Sequence, residues 1–536
     1  MGLVKYNPDY RRTWMFPRNI RRIHPWKIAQ ICAVFKQISQ ERTWSGNQAL
    51  QDAICKALES CGLKTQGEQY DLKSGGPRTY FAQLKCLGLI FQREDKRRIW
   101  FTKAGDDLIN GKPPLLIMQT LLLKHQYPSV YGNLRNVKMH PEIKVKPFLF
   151  VLEILLEKSV GYLTYEELII PIIYGHNEDS LEICVKKILQ FRKTGVFADV
   201  ICDKDKDLYT PRTKGRRFEK SLEDFKEIAN TCKNYLQACC LITVEDNAGI
   251  KQIQVNVDML QTIEKAIKSK NRYIKVAAQE ESFQRALGSW DSKKDTRNLS
   301  QTYLKQKASK GELIIIAKFI EYCGENAVID YPNEFIENME KDYGLDESVT
   351  RKTIQPLLIN TLSYYESTFL EMSKGGTSTA TKFEKAVCIL FNNRLHFKAE
   401  HTGQRKRTEG VGGYADVFIV ALDNKHCAII DTKASPAYTI TSDDYAKMIS
   451  NYIVNYKELC NKQDLDLEFC LYVAGGLQKE RVKTKLKEIK KETRVSASAI
   501  NAFELLQLSM KNIPKNQQSK VRSVFKKTKV VCNSDF

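Results

Sequence analysis

The chain has 536 residues, too many for one hydrophobic core, so several domains are expected. Lys and Arg number 84 against 63 Asp and Glu, a formal net charge of +21. That excess suits a polyanionic partner, because basic side chains placed near phosphates release condensed counterions.

Other compositional features exclude whole classes of function. No GxxxxGK[ST] occurs, which argues against an ATP-driven helicase or translocase. The opening MGLVKYNPDYRR lacks an apolar signal core, and no run of about 18 or more apolar residues follows, so a cytoplasmic protein without a membrane span is expected. The 15 cysteines lie scattered at apolar positions (Cys32, Cys239, Cys388, Cys427) with no CxxC, as reduced core thiols do. With only 7 histidines, a bound metal is expected on oxygen ligands.

Along the chain, one pattern recurs in the first half: an amphipathic helix, a small residue, and two short strands around a polar turn. In the first copy, residues 26–39 place Ile28, Ile31, Cys32 and Phe35 on one helical face, and residues 48–60 do the same with Leu50, Ile54, Ala57 and Leu58. A third helix, opened by SGGPRTY, buries Phe81, Leu84 and Leu87 and stops at Gly88. LIFQ, the turn REDKR and RIWFT read as a hairpin, and KAGDDLI as another helix. Three helices closed by a two-stranded wing describe a winged helix, whose third helix enters the major groove while the wing follows phosphates. The candidate DNA contacts are therefore Lys73, Arg78, Thr79 and Gln83 on or just before that helix's exposed side, and Arg97, Arg98 and Lys103 on the wing. Winged helices also mediate protein contacts, so the pattern alone does not fix the partner.

The second copy places helices at 148–158, 164–174 and 180–193, followed by VFADVICD and DLYTP as strands; the third spans 236–257. These readings give winged-helix-like modules over 1–140, 141–220 and 221–275, and a helical linker over 276–364 whose polar start (276–310) reads as an exposed connector. After GGTSTAT the pattern changes to α/β, so residues 365–536 are expected to form a separate domain with a solvated basic tail over 515–529. The expected fold is multidomain α+β.

The segment most informative about chemistry is YADVFIVALDNKHCAIIDTKASPAY, residues 414–438. Its two apolar runs flank the polar turn LDNKH and read as a hairpin of central strands. Asp416, Asp431 and Lys433 sit in this buried setting, where charge is costly unless paired or bound to metal. Asp431 and Lys433, two apart, share one face of the strand. A turn centred on Asn424 and Lys425 sets Asp416 opposite Lys433 and diagonal to Asp431, about 7 to 8 Å away at Cβ. Two carboxylates so placed can converge on Mg²⁺, with the Thr432 carbonyl as a further oxygen and Lys433 positioning or deprotonating a water.

The D-x₁₄-D-T-K arrangement resembles the PD-(D/E)xK nuclease core. With the helix expected at 442–460, LEFCLYVAGG and VSASAINAFELL, residues 365–510 resemble the cleavage domain of FokI-type enzymes, departing from it at Ala415, which stands where that family's motif has Pro. TSTATKFEKAVCILF resembles the helix that opens that domain, with Glu384 at an acidic position of the family; its spacing from Thr381 also fits a capping box. Upstream, KAGDDLINGKPPLLIMQTLLLKHQYPSVYGN and KPFLFVLEILLEKSVGYLTYEEL resemble the recognition half of AlwI-type Type IIS restriction enzymes and their nicking relatives. The resemblance implies a bacterial Mg²⁺-dependent endonuclease that reads an asymmetric double-stranded DNA site and cuts outside it. It also implies a transient second cleavage domain, from another copy or a small subunit, meeting the first through residues 442–460 and 478–494. A strand-specific nicking enzyme, the large subunit of a heterodimer, a relaxed-specificity repair or transposon nuclease, and a non-enzymatic winged-helix regulator are the competing readings.

Overall fold

A computed structural model describes the chain except residues 1–9, 12, 18–22, 65–75, 94–96, 132–137, 202–217, 248, 276–279, 292, 300–308, 404–412 and 512. The fold is mixed α/β and divides into two units, Met1–Tyr322 with Asn333–Tyr364, and Cys323–Pro332 with Tyr365–Phe536. Among the described residues no helix is long and apolar enough to cross a membrane, and no disulfide forms.

The first unit begins with helices α1 (Pro25–Ser39), α2 (Gln48–Ser60) and α3 (Gly76–Cys86), followed by the hairpin β1 (Ile90–Gln92) and β2 (Ile99–Phe101). The Asn47 side chain caps α2 by accepting from the Leu50 amide at 3.0 Å. Ile28, Ile31, Cys32, Phe35, Leu50, Ile54, Leu58, Phe81 and Leu84 are all buried, as their helical spacing requires. Between α1 and α2, Gln40 and Thr43 form isolated bridges to Ile99 and Arg98 of the hairpin.

Helices α4 (Pro147–Leu156), α5 (Ile169–Tyr174) and α6 (Leu181–Thr194) follow. The described part of VFADVICD does not form the expected strand: Phe197–Val200 is a single helical turn, with Phe197 stacked on Phe191 at 4.4 Å. DLYTP lies outside the described residues. Helix α7 (Phe218–Ala238) leads into the hairpin β3 (Ile242–Asn247) and β4 (Ile250–Val255). Leu163 exchanges backbone hydrogen bonds with Ile253, at 2.9 and 2.7 Å. The hairpin expected in the third repeat therefore closes on the chain expected in the second, as Gln40 and Thr43 close on the first hairpin.

Within the stretch 276–310, the described residues 280–291 are not an exposed connector. In α8 (Glu280–Leu287), Phe283, Gln284 and Leu287 are buried. Glu280 accepts from the Lys85 ammonium at 2.6 Å and from the Gln92 amide at 2.8 Å, and Gln284 donates to the carbonyls of Lys85 and Ile90. Gly88, at φ +73°, fits against this segment because a Cβ there would stand 2.6 Å from Leu287 Cγ. The polar composition that suggests a solvated segment is consumed in satisfying buried backbone groups.

In the second unit, α9 (Ala380–Asn393) precedes strands β5 (Lys398–His401), β6 (Val417–Val420) and β7 (His426–Lys433). A helical stretch over 442–462 is built from α10 (Ser442–Ala446), a wide π-type turn (Lys447–Tyr452) and α11 (Ile453–Lys462). Then come β8 (Asp466–Ala474), α12 (Lys479–Thr493), β9 (Ser496–Asn501), α13 (Ala502–Met510), α14 (Gln518–Phe525) and β10 (Val530–Val531). The six-stranded sheet has the order β10-β9-β8-β7-β6-β5, parallel from β10 to β7 and antiparallel through β6 and β5. The apolar β6 and β7 are interior strands, as expected from runs apolar on both faces. The basic run 515–529 is not a free tail: α14 buries Val521, Val524 and Phe525, and Arg522 pairs with Glu468 at 2.9 Å.

Candidate active site

The register of β6 on β7 sets the site. Val417 pairs with Ile430 and Val420 with Cys427, and the Ala421 amide donates to the His426 carbonyl at 2.8 Å. The connecting turn is centred between Asp423 and Asn424, not between Asn424 and Lys425. Asn424 takes the left-handed φ of 54° that such a turn requires, and Asp423 Oδ1 accepts from the Lys425 and His426 amides. Continued by one residue, this register sets Asp416 opposite Asp431, where the sequence reading set it opposite Lys433.

Asp431, on β7, is only 3% exposed. Burial pushes its carboxyl up to about 7, with the nearby Asp416 adding to the shift and Lys433 opposing it. Burial, followed by the charge of Glu384, raises Asp416 as well. One Asp416 oxygen, Oδ2, accepts from both the amide and the hydroxyl of Thr432, at 2.7 and 2.9 Å. The other, Oδ1, lies on the side of Gly403, where a Cβ would come within 3.3 Å of it and within 3.4 Å of Glu384 Oε2.

Lys433 Nζ stands 3.0 Å from Asp431 Oδ2 and 3.0 Å from Asp444 Oδ1. Although burial disfavours its charge, these two carboxylates raise its proton affinity above that of an ordinary lysine. Burial likewise opposes the ionisation of Asp444, but Lys433 and the Thr441 and Tyr438 hydroxyls hold its carboxyl below the usual range. Glu384, buried on α9, is bound at Oε2 by His401 Nε2 at 2.8 Å. The capping-box reading of Glu384 fails, because the helix starts at Ala380 and Thr381 lies inside it. Asp444, Tyr438, Thr441 and His401 complete the neighbourhood. The sequence reading missed them because they come from a loop, a helix start and an edge strand outside the D…DTK motif.

Asp416, Asp431 and Glu384 form an oxygen-only set in which two carboxyls resist ionisation when no cation offsets them. That donor chemistry fits a hard divalent cation. A second group is more tightly clustered, but its buried acid is spent on neighbouring cations. Atoms of His426, Asp466 and Glu468 lie within 4.8 Å of one another. Glu468, however, is already compensated by Arg522 at 2.9 Å and Lys526 at 2.8 Å.

The expected DNA contacts fare unevenly. Lys73 lies outside the described residues. Arg78 is exposed at the start of α3, with Nε donating to Gln51 Oε1 at 3.0 Å, and Thr79 is half-buried beside it. Gln83 is not on an exposed side: it is fully buried and donates to the Tyr235 hydroxyl at 3.1 Å. Residues 83–86 at the C-terminal end of α3 are buried, with Gln83 bonded to Tyr235 of α7 and Lys85 to Glu280 and Gln284 of α8. Arg97 is exposed at the β1–β2 turn with φ 47°, and Arg98 pairs with Thr43. Lys103 departs from the wing reading, since it opens the helix Lys103–Ile109 and forms an ion pair with Asp291.

Two family models match the chain: "AlwI restriction endonuclease" over residues 85–390, and "FokI, cleavage domain" over residues 344–531. No curated protein sequence matches it significantly. Among solved structures, the restriction endonuclease FokI aligns over 97% of this chain and 100% of its own, at 12% identity and a TM-score of 0.27. FokI bound to DNA aligns at 11% and 0.27. The BpuJ1 endonuclease binding domain, in complex with modified DNA, covers 53% of this chain and 99% of its own, at 14% and 0.36. At these TM-scores the structural likeness adds nothing to the family matches.

Proposed function

The chain belongs to the AlwI restriction endonuclease family, and from that premise we propose a division of labour between its two units. The enzyme is a Type IIS restriction endonuclease. Its first unit reads a short asymmetric site through winged-helix-like modules, with Arg78, Thr79 and Arg97 as the accessible contacts among those expected. Its second unit, which holds all but the first residues of the stretch 344–531 matched by the FokI cleavage-domain model, cuts double-stranded DNA at a fixed distance outside the site. The observation that carries the cutting role is the convergence of Asp416, Asp431 and Lys433 on two adjoining strands, which a purely DNA-binding regulator leaves without a purpose.

In this reading Asp431, Asp416 and Glu384 would hold Mg²⁺, with the Thr432 carbonyl as a further candidate. When bound, the cation lowers the pKa of water and offsets charge building on the phosphate. Lys433 keeps its proton between two carboxylates, so it serves as a hydrogen-bond donor to the phosphate or the attacking water rather than as a base. Water attacks phosphorus, the bond to the 3′ oxygen breaks and that oxygen takes a proton, leaving 5′-phosphate and 3′-hydroxyl ends.

One such centre attacks one phosphate, so cutting both strands calls for a second cleavage domain recruited on DNA. The exposed residues of α12 include Lys479, Arg481, Lys483, Lys487, Lys490 and Lys491. Two copies meeting on this face would repel each other, which favours a monomer in solution and pairing only where DNA or an acidic partner offsets the charge. Digesting a randomised plasmid library with Mg²⁺ and sequencing the ends tests the reading. Ends at a fixed offset from one asymmetric motif are expected, and ends without a shared motif would contradict it.

A further inference from the structure

Asp444 has a neighbourhood that helix capping does not explain. It sits in the first turn of α10, where the Thr441 hydroxyl accepts from the Asp444 amide at 3.1 Å. Capping of that kind needs only Thr441. Yet the Asp444 carboxylate is itself fixed: Oδ2 accepts from the Tyr438 hydroxyl at 3.0 Å and from the Thr441 hydroxyl at 2.9 Å. With Oδ2 occupied, Oδ1 faces Lys433 Nζ at 3.0 Å.

An ammonium has three hydrogens to donate. Asp431 takes one and Asp444 another, which leaves a single N–H whose direction is set by the two carboxylates. Asp431 alone would leave the four-carbon stem of Lys433 free to rotate. We propose that Asp444, held by Tyr438 and Thr441, is a positioning residue that aims the Lys433 ammonium at the scissile phosphate or the attacking water. This role rests on the assignment of Lys433 to the cleavage site. It also means that the Asp444 carboxylate faces inward and is spent on its own site, rather than offered on a pairing surface.

The test uses the full-length protein with the Asp444→Asn and Asp444→Glu variants. Asp443→Asn, an exposed neighbour making the same change of charge, is the control. Single-turnover cleavage, the Mg²⁺ concentration for half-maximal rate, specific DNA binding and the thermal midpoint are measured for each. Asp444→Asn is expected to slow cleavage by about 10²-fold, the scale of a misplaced catalytic group. DNA binding and the Mg²⁺ requirement are expected to stay within about twofold of wild type on that account. Asp444→Glu should recover part of the rate, and Asp443→Asn should cut normally. Full activity in Asp444→Asn overturns the proposal. So does a large rise in its Mg²⁺ requirement, which would make Asp444 a metal ligand. If Asp444→Asn proves unstable, Tyr438→Phe decides: it removes one of the two hydroxyls that hold Asp444 Oδ2 without changing charge, and unchanged cleavage in a stable Tyr438→Phe overturns the proposal. Lys433→Ala separates the two levels. Normal cutting there removes Lys433 from the site altogether, whereas an inactive Lys433→Ala beside a fully active Asp444→Asn overturns only the positioning role.

Discussion

Thr432 holds one oxygen of Asp416 twice, through its amide at 2.7 Å and its hydroxyl at 2.9 Å. The pair spans β7 and the residue just before β6, so the strand that carries Asp431 also fixes the direction of the second carboxylate. Asp416 Oδ1 is left turned toward Glu384 and Gly403.

Thr432→Val keeps the side-chain shape and the backbone carbonyl but removes the hydroxyl. Losing one hydrogen bond to a carboxylate should slow cleavage by about tenfold, roughly 1.4 kcal/mol. Single-turnover rates check this, with DNA binding unchanged. A wild-type rate would mean that the amide alone orients Asp416.

Gly403→Ala probes the space between the two acids. Gly403 does not occupy the left-handed region, so its backbone tolerates alanine, but the new methyl would stand 3.3 Å from Asp416 Oδ1 and 3.4 Å from Glu384 Oε2. A several-fold higher Mg²⁺ requirement is expected, with no loss of thermal stability. An unchanged requirement would show that the cation does not occupy this gap.

Gln83 and Arg78 lie near one another in sequence but should behave in opposite ways. Gln83→Ala strands the buried Tyr235 hydroxyl and should cost about 1 to 3 kcal/mol of stability without altering base preference. Arg78→Ala should leave the melting point unchanged and weaken specific binding about tenfold or more, the cost of one base contact. A changed base preference in a fully stable Gln83→Ala would contradict the buried placement.

Glu366, buried in the helix Thr361–Met372, accepts from Gln507 Nε2 at 3.0 Å. Burial raises its carboxyl from 4.5 to about 7, against a smaller opposing effect of Gln507. Between those values the folded state binds more protons than the unfolded one, so stability falls as pH rises from about 4.5 to 7 and the loss levels off above. The gap is worth up to about 3 kcal/mol, which Glu366→Gln should recover at pH 8 and not at pH 4. Thermal unfolding of both proteins across that range checks it, and parallel pH profiles would contradict it.

The legible parts of the chain were those governed by periodicity and by charge in apolar strands. Asp416, Asp431 and Lys433 could be singled out because nothing else explains ionic residues in runs such as HCAIIDTKA. Their register could not, because LDNKH permits two turn centres and only the left-handed Asn424 selects between them. Asp444 and His401 stayed hidden because their significance lies in what the sheet brings beside them. Gln83 misled for a related reason: a helix face that looks polar in isolation is covered by segments more than a hundred residues away, Tyr235 on one side and α8 on the other. The basic run 515–529 reads as tail by composition, yet Val521, Val524 and Phe525 recur at helical spacing within it.

The most direct test of the central claim is Asp431→Ala on a plasmid carrying the mapped site, compared with wild type in Mg²⁺ and in EDTA. The variant should bind the site with wild-type affinity and leave the plasmid intact under both conditions, while the wild type cuts only with Mg²⁺. Cleavage by Asp431→Ala at the wild-type rate would contradict the account and move the active site away from the β6–β7 hairpin.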